Sequence, residues 1–275
     1  MAEEKIVTEY LKPNKTRNFW IRGNTGTPIS EDEVLQTIAS CAIILLGETH
    51  NRADHHHWHL SICKKLQDFR KPIALGFEAF PKRVQSILDK WTRNQINETD
   101  FLNQVDWGTI WGFDAALYLP IFRFCKDHQI PIVALNCNRS LVTEIGKKGW
   151  KNVDQTSLEG LSPAKPATMT YRQYLFDITG GQRSDRAATH AGDMAFDRFV
   201  RAQQVWDRAF ACNLHDFHKT SPDTLLVGLI GSGHLEYGGG TPYQLADLGF
   251  LDAATLIPTD REDIPKNIGD FAYKF

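Results

Sequence analysis

The chain has 275 residues, of which 42% are hydrophobic and 23% are charged, a composition typical of a globular protein with one large core. A formal net charge of -2 excludes the strongly basic surface by which proteins attract nucleic acid or anionic lipid over long distances. Since no apolar run approaches the roughly 18 to 20 residues that a membrane span needs, we expect neither a nucleic-acid partner nor a membrane span.

Short apolar runs rich in branched or small side chains recur along the chain. Runs of this kind are typical of strands that are covered by other elements on both faces. The predicted strands are residues 41–47, 72–78, 130–136, 224–231 and 253–258.

Helical patterns fill the intervals between these runs. The predicted helices are residues 30–40, 55–69, 81–91 and 115–128. Ser30 and Glu33 form a capping-box pattern at the start of the first helix. Asp54 is expected to cap the second helix, and Pro81 is expected to start the third. The alternation predicts an α/β fold, in which a mostly parallel sheet is flanked by helices.

The stretch from residue 139 to residue 221 breaks this alternation. It contains no convincing strand. It does contain a Gly-Gly turn at residues 180–181 and a long helical pattern over residues 189–218. A crossover between parallel strands needs only about a dozen residues. We therefore expect a single α/β domain over residues 1–275, with residues 139–221 inserted as a smaller all-helical subdomain that caps one end of the sheet.

Ionisable side chains follow three of the apolar runs at the point where each run ends. Glu48 and His50 follow the first run, Glu78 ends the second, and His234 follows the fourth. Groups beyond the carboxyl ends of parallel strands converge on one crevice. Each residue alone has a structural explanation, such as satisfying a strand end, but four together indicate a catalytic or metal-binding site.

A second polar pair lies on the long helical pattern. Gln203 and Asp207 interrupt a stripe that is otherwise apolar. Because buried amides and carboxylates need partners, the pair either ties the helix to the sheet or reaches the crevice.

A histidine tract at the start of the second helix has two interpretations. His55 and His59 have the i, i+4 spacing of a metal-ligand pair. The tract lacks an HExxH pattern and paired cysteines, so a solvated helix start is the favoured interpretation of His57 and His59.

Several motifs resemble the ChaN-like family of haem-binding uptake proteins in the Tiki superfamily. They are LLGETHNRADHH, GFEAF followed by Gln85, WGFDAALYLPI, VALN, AQQVWD and GSGHLEYGGGTP, in this order over residues 19–258. The resemblance implies a parallel sheet flanked by helices, a smaller all-helical part, haem binding, and a role in haem or iron acquisition. Related branches of the superfamily include erythromycin esterases and Tiki proteases.

The family pattern extends to residues around the predicted crevice. It falls on Gly47, Glu48, His50, His55, His56, Gly76, Glu78, Trp111, Tyr118, Asn136, Gln203, Trp206, Asp207, Gly231, Gly233, His234, Tyr237 and Pro242. Among these, His55, His56, Asn136, Gln203 and Asp207 are expected to support the site. The chain departs from the pattern at Asn51 and Arg52, and it shows no export signal.

Two functions remain open. The first is binding of haem or another small molecule, with a homodimer as one possible assembly. Haem needs an axial ligand such as histidine or tyrosine, and the candidates are Tyr171, Tyr174, Tyr237 and His234. The second is a hydrolase in which Glu48, His50, Glu78 and His234 activate water directly or bind zinc, manganese or iron for that purpose.

Five cysteines, an odd number, lie in apolar segments without paired CxxC spacing, which indicates reduced core residues. The amino terminus lacks a basic region followed by an apolar stretch. We therefore expect a cytoplasmic location for the chain as given, or a periplasmic or lipid-anchored location if a signal peptide has been removed.

Overall fold

A computed structural model describes residues 18–69, 72–179, 182–183 and 186–275 of the chain. The strands are β1 (Phe19–Arg22), β2 (Pro28–Ile29), β3 (Ile43–Glu48), β4 (Ile73–Pro81), β5 (Ile132–Asn136), β6 (Gln182–Arg183), β7 (Arg186–Ala187), β8 (Leu225–Gly231), β9 (Ala253–Thr259) and β10 (Phe271–Lys274). The α-helices are α1 (Glu31–Ile38), α2 (Ala53–Phe69), α3 (Gln85–Thr92), α4 (Glu98–Gln104), α5 (Trp107–Ile110), α6 (Ala115–Asp127), α7 (Arg139–Lys148), α8 (Met169–Thr179), α9 (Asp197–Thr220) and α10 (Thr241–Asp247).

The main sheet has eight strands in the order β2-β1-β10-β9-β3-β8-β4-β5. The six strands from β10 to β5 run parallel, whereas β1 is antiparallel to both of its neighbours. The prediction of an α/β fold with a mostly parallel sheet is therefore confirmed. The five predicted strands correspond to β3, β4, β5, β8 and β9.

The sequence interpretation missed the strands on one side of the sheet. Strands β1 and β10 have four residues each, and β2 has two. Only the two middle residues of β1 and the first two residues of β10 are buried. Such short, half-exposed segments lack the continuous apolar run that identifies a central parallel strand.

Helix boundaries differ from the predictions at two places. The capping box of Ser30 and Glu33 forms as expected. Helix α2, however, begins at Ala53, so Asp54 lies in its first turn, where the carboxylate pairs with Arg52. Pro81 is still part of β4, and a single 3-10 turn separates it from α3.

Residues 139–221 are largely helical but contain a strand pair that the sequence did not indicate. Strands β6 and β7 form a two-residue antiparallel ribbon. Helix α9 begins at Asp197 instead of residue 189, after a 3-10 turn over Met194–Phe196. The expected Gly-Gly turn at residues 180–181 lies outside the described residues, as do the first 17 residues.

Helices cover the sheet on both faces. On one face, α1, α2, α3 and α6 pack on alternate side chains of the parallel strands. On the other face, α9 and α10 supply Phe210, Leu214 and Leu245. A further cluster joins α7 to the outer side of α9. Within the described ranges, no helix is long and apolar enough to cross a membrane.

We predict that Leu45→Ala lowers the free energy of unfolding by about 2–5 kcal/mol, because it leaves a cavity in the middle of β3. Leu45 is 0% exposed, whereas Leu251 is 80% exposed and serves as the matched control. Denaturant unfolding of both leucine-to-alanine variants measures the difference. Equal losses of stability in the two variants would contradict this account of the core.

Candidate functional site

The carboxyl ends of four neighbouring strands, β3, β8, β4 and β5, meet at one edge of the sheet. Glu48 is the last residue of β3, and Asn136 is the last residue of β5. Glu78 lies near the end of β4, and His234 lies in the 3-10 turn that follows β8. The strand order thus brings residues that are far apart in sequence to the same place.

Glu48 and His50 form the first histidine–carboxylate pair. The Nδ1 atom of His50 donates to Oε1 of Glu48 at 2.8 Å. The same oxygen accepts from the hydroxyl of Tyr118, which reaches over from α6, at 2.7 Å. His50 packs against the rings of Trp111 and Phe113, with centroids 4.7 and 5.1 Å away. These contacts fix both the orientation and the tautomer of His50.

The environment shifts the pKa values of both members of this pair. Burial alone would raise the pKa of Glu48, but the hydrogen bond from His50 and the neighbouring imidazoles lower it to about 2. Burial acts to lower the pKa of His50, yet the hydrogen bond to Glu48 and the charge of Glu78 raise it overall. The pair therefore favours the ionised form of Glu48 and holds the pKa of His50 above its ordinary value.

His234 and Asp207 form the second pair. The Nδ1 atom of His234 donates to Oδ1 of Asp207 at 2.8 Å. Asp207 is 0% exposed, and its other oxygen accepts from the hydroxyl of Tyr171 at 2.8 Å. Burial lowers the pKa of His234, but the charge and hydrogen bond of Asp207, together with the charge of Glu78, raise it to about 9. His234 is therefore a cation at neutral pH.

Glu78 lies between the two pairs. Its Oε2 atom accepts from the backbone N–H of Gly231 at 2.5 Å, and its Oε1 atom lies 3.8 Å from Nε2 of His234. The β4–β5 register is irregular between Phe77 and Pro81, and the Asn136 amide spans this irregularity by donating to the Glu78 carbonyl at 2.8 Å. Asn136 therefore positions the segment that carries Glu78.

Glycines at the end of β8 and in the segment after it allow these side chains to approach the backbone. A Cβ atom at Gly231 would lie 2.9 Å from the His50 ring and 3.3 Å from the Glu78 carboxylate. A Cβ atom at Gly240 would lie 2.7 Å from the Asp207 carboxylate. The glycine-rich segment thus leaves room for both pairs.

Three of the four predicted strand-end residues border one cavity of about 450 Å³. His50, Glu78 and His234 line it, whereas Glu48 lies behind His50. Gln203 also lines the cavity, and Asp207 is connected to it through His234, so α9 does reach the crevice. The remaining lining residues are Ala79, Pro81, Arg83, Thr109, Ile110, Trp111, Phe113, Asn136, Cys137, Asn138, Arg139 and Trp206.

The two arginines of this wall, Arg83 and Arg139, were missed by the sequence interpretation. Neither belongs to a recognisable spacing, and only the fold brings the residues after β4 and β5 together. Tyr118 was matched by the family pattern, but its contact with Glu48 was not expected. No periodicity in the sequence indicates a contact between α6 and the end of β3.

The histidine tract lies behind the crevice. His55 accepts from the Thr49 N–H at 3.0 Å and stacks on Phe275. His56 donates from Nε2 to the His50 carbonyl at 3.0 Å, so it supports the loop that carries His50. His57 is exposed as expected, but the interpretation of His59 as solvated is wrong, because His59 is 0% exposed. Helix α2 turns this side chain toward β3.

The candidate metal ligands in the structure differ from those predicted from the sequence. Among the described residues, the group whose ligand atoms all lie within 4.8 Å of one another is Glu48, His56 and His59. Of the four ligands predicted from the sequence, only Glu48 belongs to this group.

The predicted haem-binding tyrosines lie on the side of His234 away from this cavity. Tyr171, Tyr174 and Tyr237 line a second cavity of about 670 Å³ together with Arg261. Tyr171 is buried and bonded to Asp207, whereas Tyr237 is 41% exposed. The rings of Tyr174 and Tyr237 meet edge to face at 5.4 Å.

Comparisons with known proteins agree with this fold. The family model described as "Haem-binding uptake, Tiki superfamily, ChaN" matches residues 34–245. A structure described as cofacial heme binding to ChaN of Campylobacter jejuni is similar, with a TM-score of 0.74 and 20% identity over 94% of this chain and 97% of that chain. An erythromycin esterase mutant in its open conformation has a TM-score of 0.52 and 14% identity over 87% of this chain and 76% of that chain. The comparison with curated proteins finds no match.

We predict that Asp207→Asn lowers the pKa of His234 from about 9, because the effect of burial is then no longer outweighed by Asp207. An NMR titration of the histidine rings measures this change. Asp216→Asn, an exposed change on the same helix, is the matched control and should leave the pKa of His234 unaltered.

The same shift makes stability depend on pH. Because the pKa of His234 is raised on folding, its contribution to the free energy of unfolding is complete below about pH 6.5 and is lost as the pH rises through about 9. The stability difference between the wild type and Asp207→Asn should therefore shrink over that interval. A difference that stays constant across it would contradict the assigned pair.

Proposed function

We propose that this chain, which belongs to the ChaN family of haem-binding uptake proteins in the Tiki superfamily, binds haem and takes part in haem or iron acquisition or handling. Membership of the family supports haem as the ligand. We place the haem site at the cavity of about 670 Å³, and the observation that carries this choice is the exposed Tyr237 at its rim.

Tyr237 is the best suited of the four candidate axial ligands. Tyrosine binds ferric haem as a phenolate, and burial raises the pKa of Tyr171 and of Tyr174, which disfavours that form. The pKa of His234 is raised to about 9, so its Nε2 atom carries a proton at neutral pH that has to be lost before this nitrogen can bind iron. Tyr237 is 41% exposed and lines the cavity, so a ligand in the cavity can reach it.

The backbone of Tyr237 gives a second sign of function. Its φ is 58°, which is uncommon for a residue with a side chain and costs about 1 kcal/mol or more. The Tyr237 N–H donates to the Ile268 carbonyl at 3.0 Å, which holds this conformation. The strain directs an aromatic side chain outward, as a ligand-binding residue requires.

The surroundings of Tyr237 fit the chemistry of haem. Tyr174 and Ile178 supply apolar surface for a porphyrin ring. Arg261 lines the same cavity and donates one N–H to Glu236 at 2.9 Å, and its remaining N–H groups would hold a haem propionate. When bound, haem supplies the iron, and these residues bind and orient it.

We predict that Tyr237→Phe abolishes the Soret shift of bound ferric haem, or weakens haem binding at least about tenfold, because it removes the oxygen ligand but keeps the ring. Absorbance titration with haem measures both. Tyr243→Phe is the matched control, because Tyr243 lies on α10 outside this cavity.

The outcome separates the candidate ligands. A spectrum that is unchanged in Tyr237→Phe but lost in Tyr174→Phe or in His234→Gln would contradict the assignment of Tyr237. A wild type that shows no saturable Soret shift at micromolar haem would contradict haem binding itself.

The crevice supports hydrolysis as a second candidate function. The specific observation is that both histidine–carboxylate pairs and Glu78 meet at one cavity of about 450 Å³. In this alternative Glu78 takes a proton from water, whose oxygen attacks an ester or peptide carbonyl. His234, a cation 3.8 Å from Glu78, gives its proton to the leaving group.

We predict that Glu78→Gln lowers any ester or peptide turnover at least about a hundredfold, because it keeps the shape of the side chain but removes the base. A panel of activated esters and peptides, assayed with and without zinc or manganese, measures the loss. Glu144→Gln, a change at a half-buried position on α7 outside the cavity, is the control. Turnover that survives both Glu78→Gln and His234→Gln would contradict the hydrolase function, whereas haem affinity should be unaffected by Glu78→Gln.

A further inference from the structure

Three buried side chains face one another behind the crevice. Glu48 ends β3, and His56 and His59 lie one turn apart on α2. All three are at most 5% exposed. They lie beyond His50 as seen from the cavity, and neither proposed function uses the two histidines.

Backbone carbonyls fix the tautomers of both histidines. The Nε2 atom of His56 lies 3.0 Å from the His50 carbonyl oxygen, and Nε2 of His59 lies 2.8 Å from the Gly47 carbonyl oxygen. A carbonyl only accepts, so each Nε2 carries the hydrogen. In a neutral ring, the Nδ1 atom is then a lone pair.

These lone pairs point at a carboxylate oxygen. Oε2 of Glu48 lies 3.4 Å from Nδ1 of His59 and 3.6 Å from Nδ1 of His56. Within the part of the chain that the structure describes, neither Oε2 of Glu48 nor Nδ1 of His59 has a hydrogen-bond partner. Two buried acceptors that face each other without a donor, Oε2 of Glu48 and Nδ1 of His59, are costly in a dry interior. A cation between them removes that cost.

We propose that Glu48 Oε2, His56 Nδ1 and His59 Nδ1 bind a divalent transition-metal cation, for which zinc has the most suitable chemistry. Zinc takes nitrogen and carboxylate oxygen ligands at roughly 2.0–2.2 Å, which separates tetrahedral ligand atoms by roughly 3.3–3.6 Å. The observed separations of 3.4 and 3.6 Å fit this geometry.

The surroundings of the three ligands are those of a metal site. A metal-binding histidine usually donates its other N–H to a carbonyl or carboxylate, as His56 and His59 do here. Glu48 keeps its other oxygen for Tyr118 and His50, so the carboxylate connects the metal to the wall of the crevice. This inference rests on neither haem binding nor hydrolysis.

The test is metal binding by the full chain in the absence of haem. Wild-type protein is freed of metal with a chelator and titrated with zinc, monitored by calorimetry, and with cobalt, monitored by visible absorbance. We expect one metal per chain, a cobalt spectrum of tetrahedral type, and a rise in the unfolding temperature with zinc. A wild type that binds neither metal would overturn the proposal.

The key variants are His56→Gln and His59→Gln. Glutamine places an amide N–H near the position of Nε2, so the bond to the carbonyl is kept while the Nδ1 ligand is lost. Each variant should weaken zinc binding by roughly a hundredfold. His57→Gln, an exposed change on the same helix, should leave the affinity unaltered. Equal zinc affinity in the wild type and in both His56→Gln and His59→Gln would overturn the proposal.

His234→Gln distinguishes the buried ligands from those of the crevice. If Glu48, His56 and His59 bind the metal, the zinc affinity of this variant equals that of the wild type. Loss of zinc binding in His234→Gln but not in His59→Gln would assign the metal to the crevice and overturn the proposal. If a variant does not fold, as judged by circular dichroism, the cobalt spectrum and the zinc-dependent unfolding temperature of the wild type decide the outcome.

Discussion

The carboxylate of Glu48 is buried at the end of the central strand β3, where an ionised group without donors costs several kcal/mol. One oxygen of the carboxylate is satisfied by donors: α6 contributes the Tyr118 hydroxyl, and the loop after β3 contributes His50. Helix α2 turns His56 and His59 toward the other oxygen. One buried charge thus fixes the positions of two helices and a loop relative to the sheet. The shape of the crevice follows from that arrangement.

The two cavities near His234 have different chemistry, although Asp207 of helix α9 contacts residues of both. Asp207 on α9 accepts from His234 on the crevice side and from Tyr171 on the side of the second cavity. The crevice holds ionised groups in fixed orientations, which suits proton transfer or anion binding. The second cavity combines tyrosine rings and an aliphatic side chain with one guanidinium, Arg261, and two carboxylates, Asp177 and Glu236.

Much of the sheet and part of the crevice could be predicted from the sequence. The central strands are buried on both faces and show continuous apolar runs, so Glu48, Glu78 and His234 were recognisable as strand-end residues. Contacts between helices and strand ends were not recognisable, because no local pattern records them. The burial of His59 depends on the rotation of α2, and the contact of Tyr118 with Glu48 joins residues 70 positions apart.

The strand order also determines when the crevice exists during synthesis of the chain. Strand β8, which begins at residue 225, lies between β3 and β4, which are made early. A nascent chain that ends before β8 has two apolar strands with an unfilled gap between them, and such exposed edges invite aggregation. The Gly231–Glu78 hydrogen bond spans 153 positions, so the pocket is assembled only after Gly231 has left the ribosome.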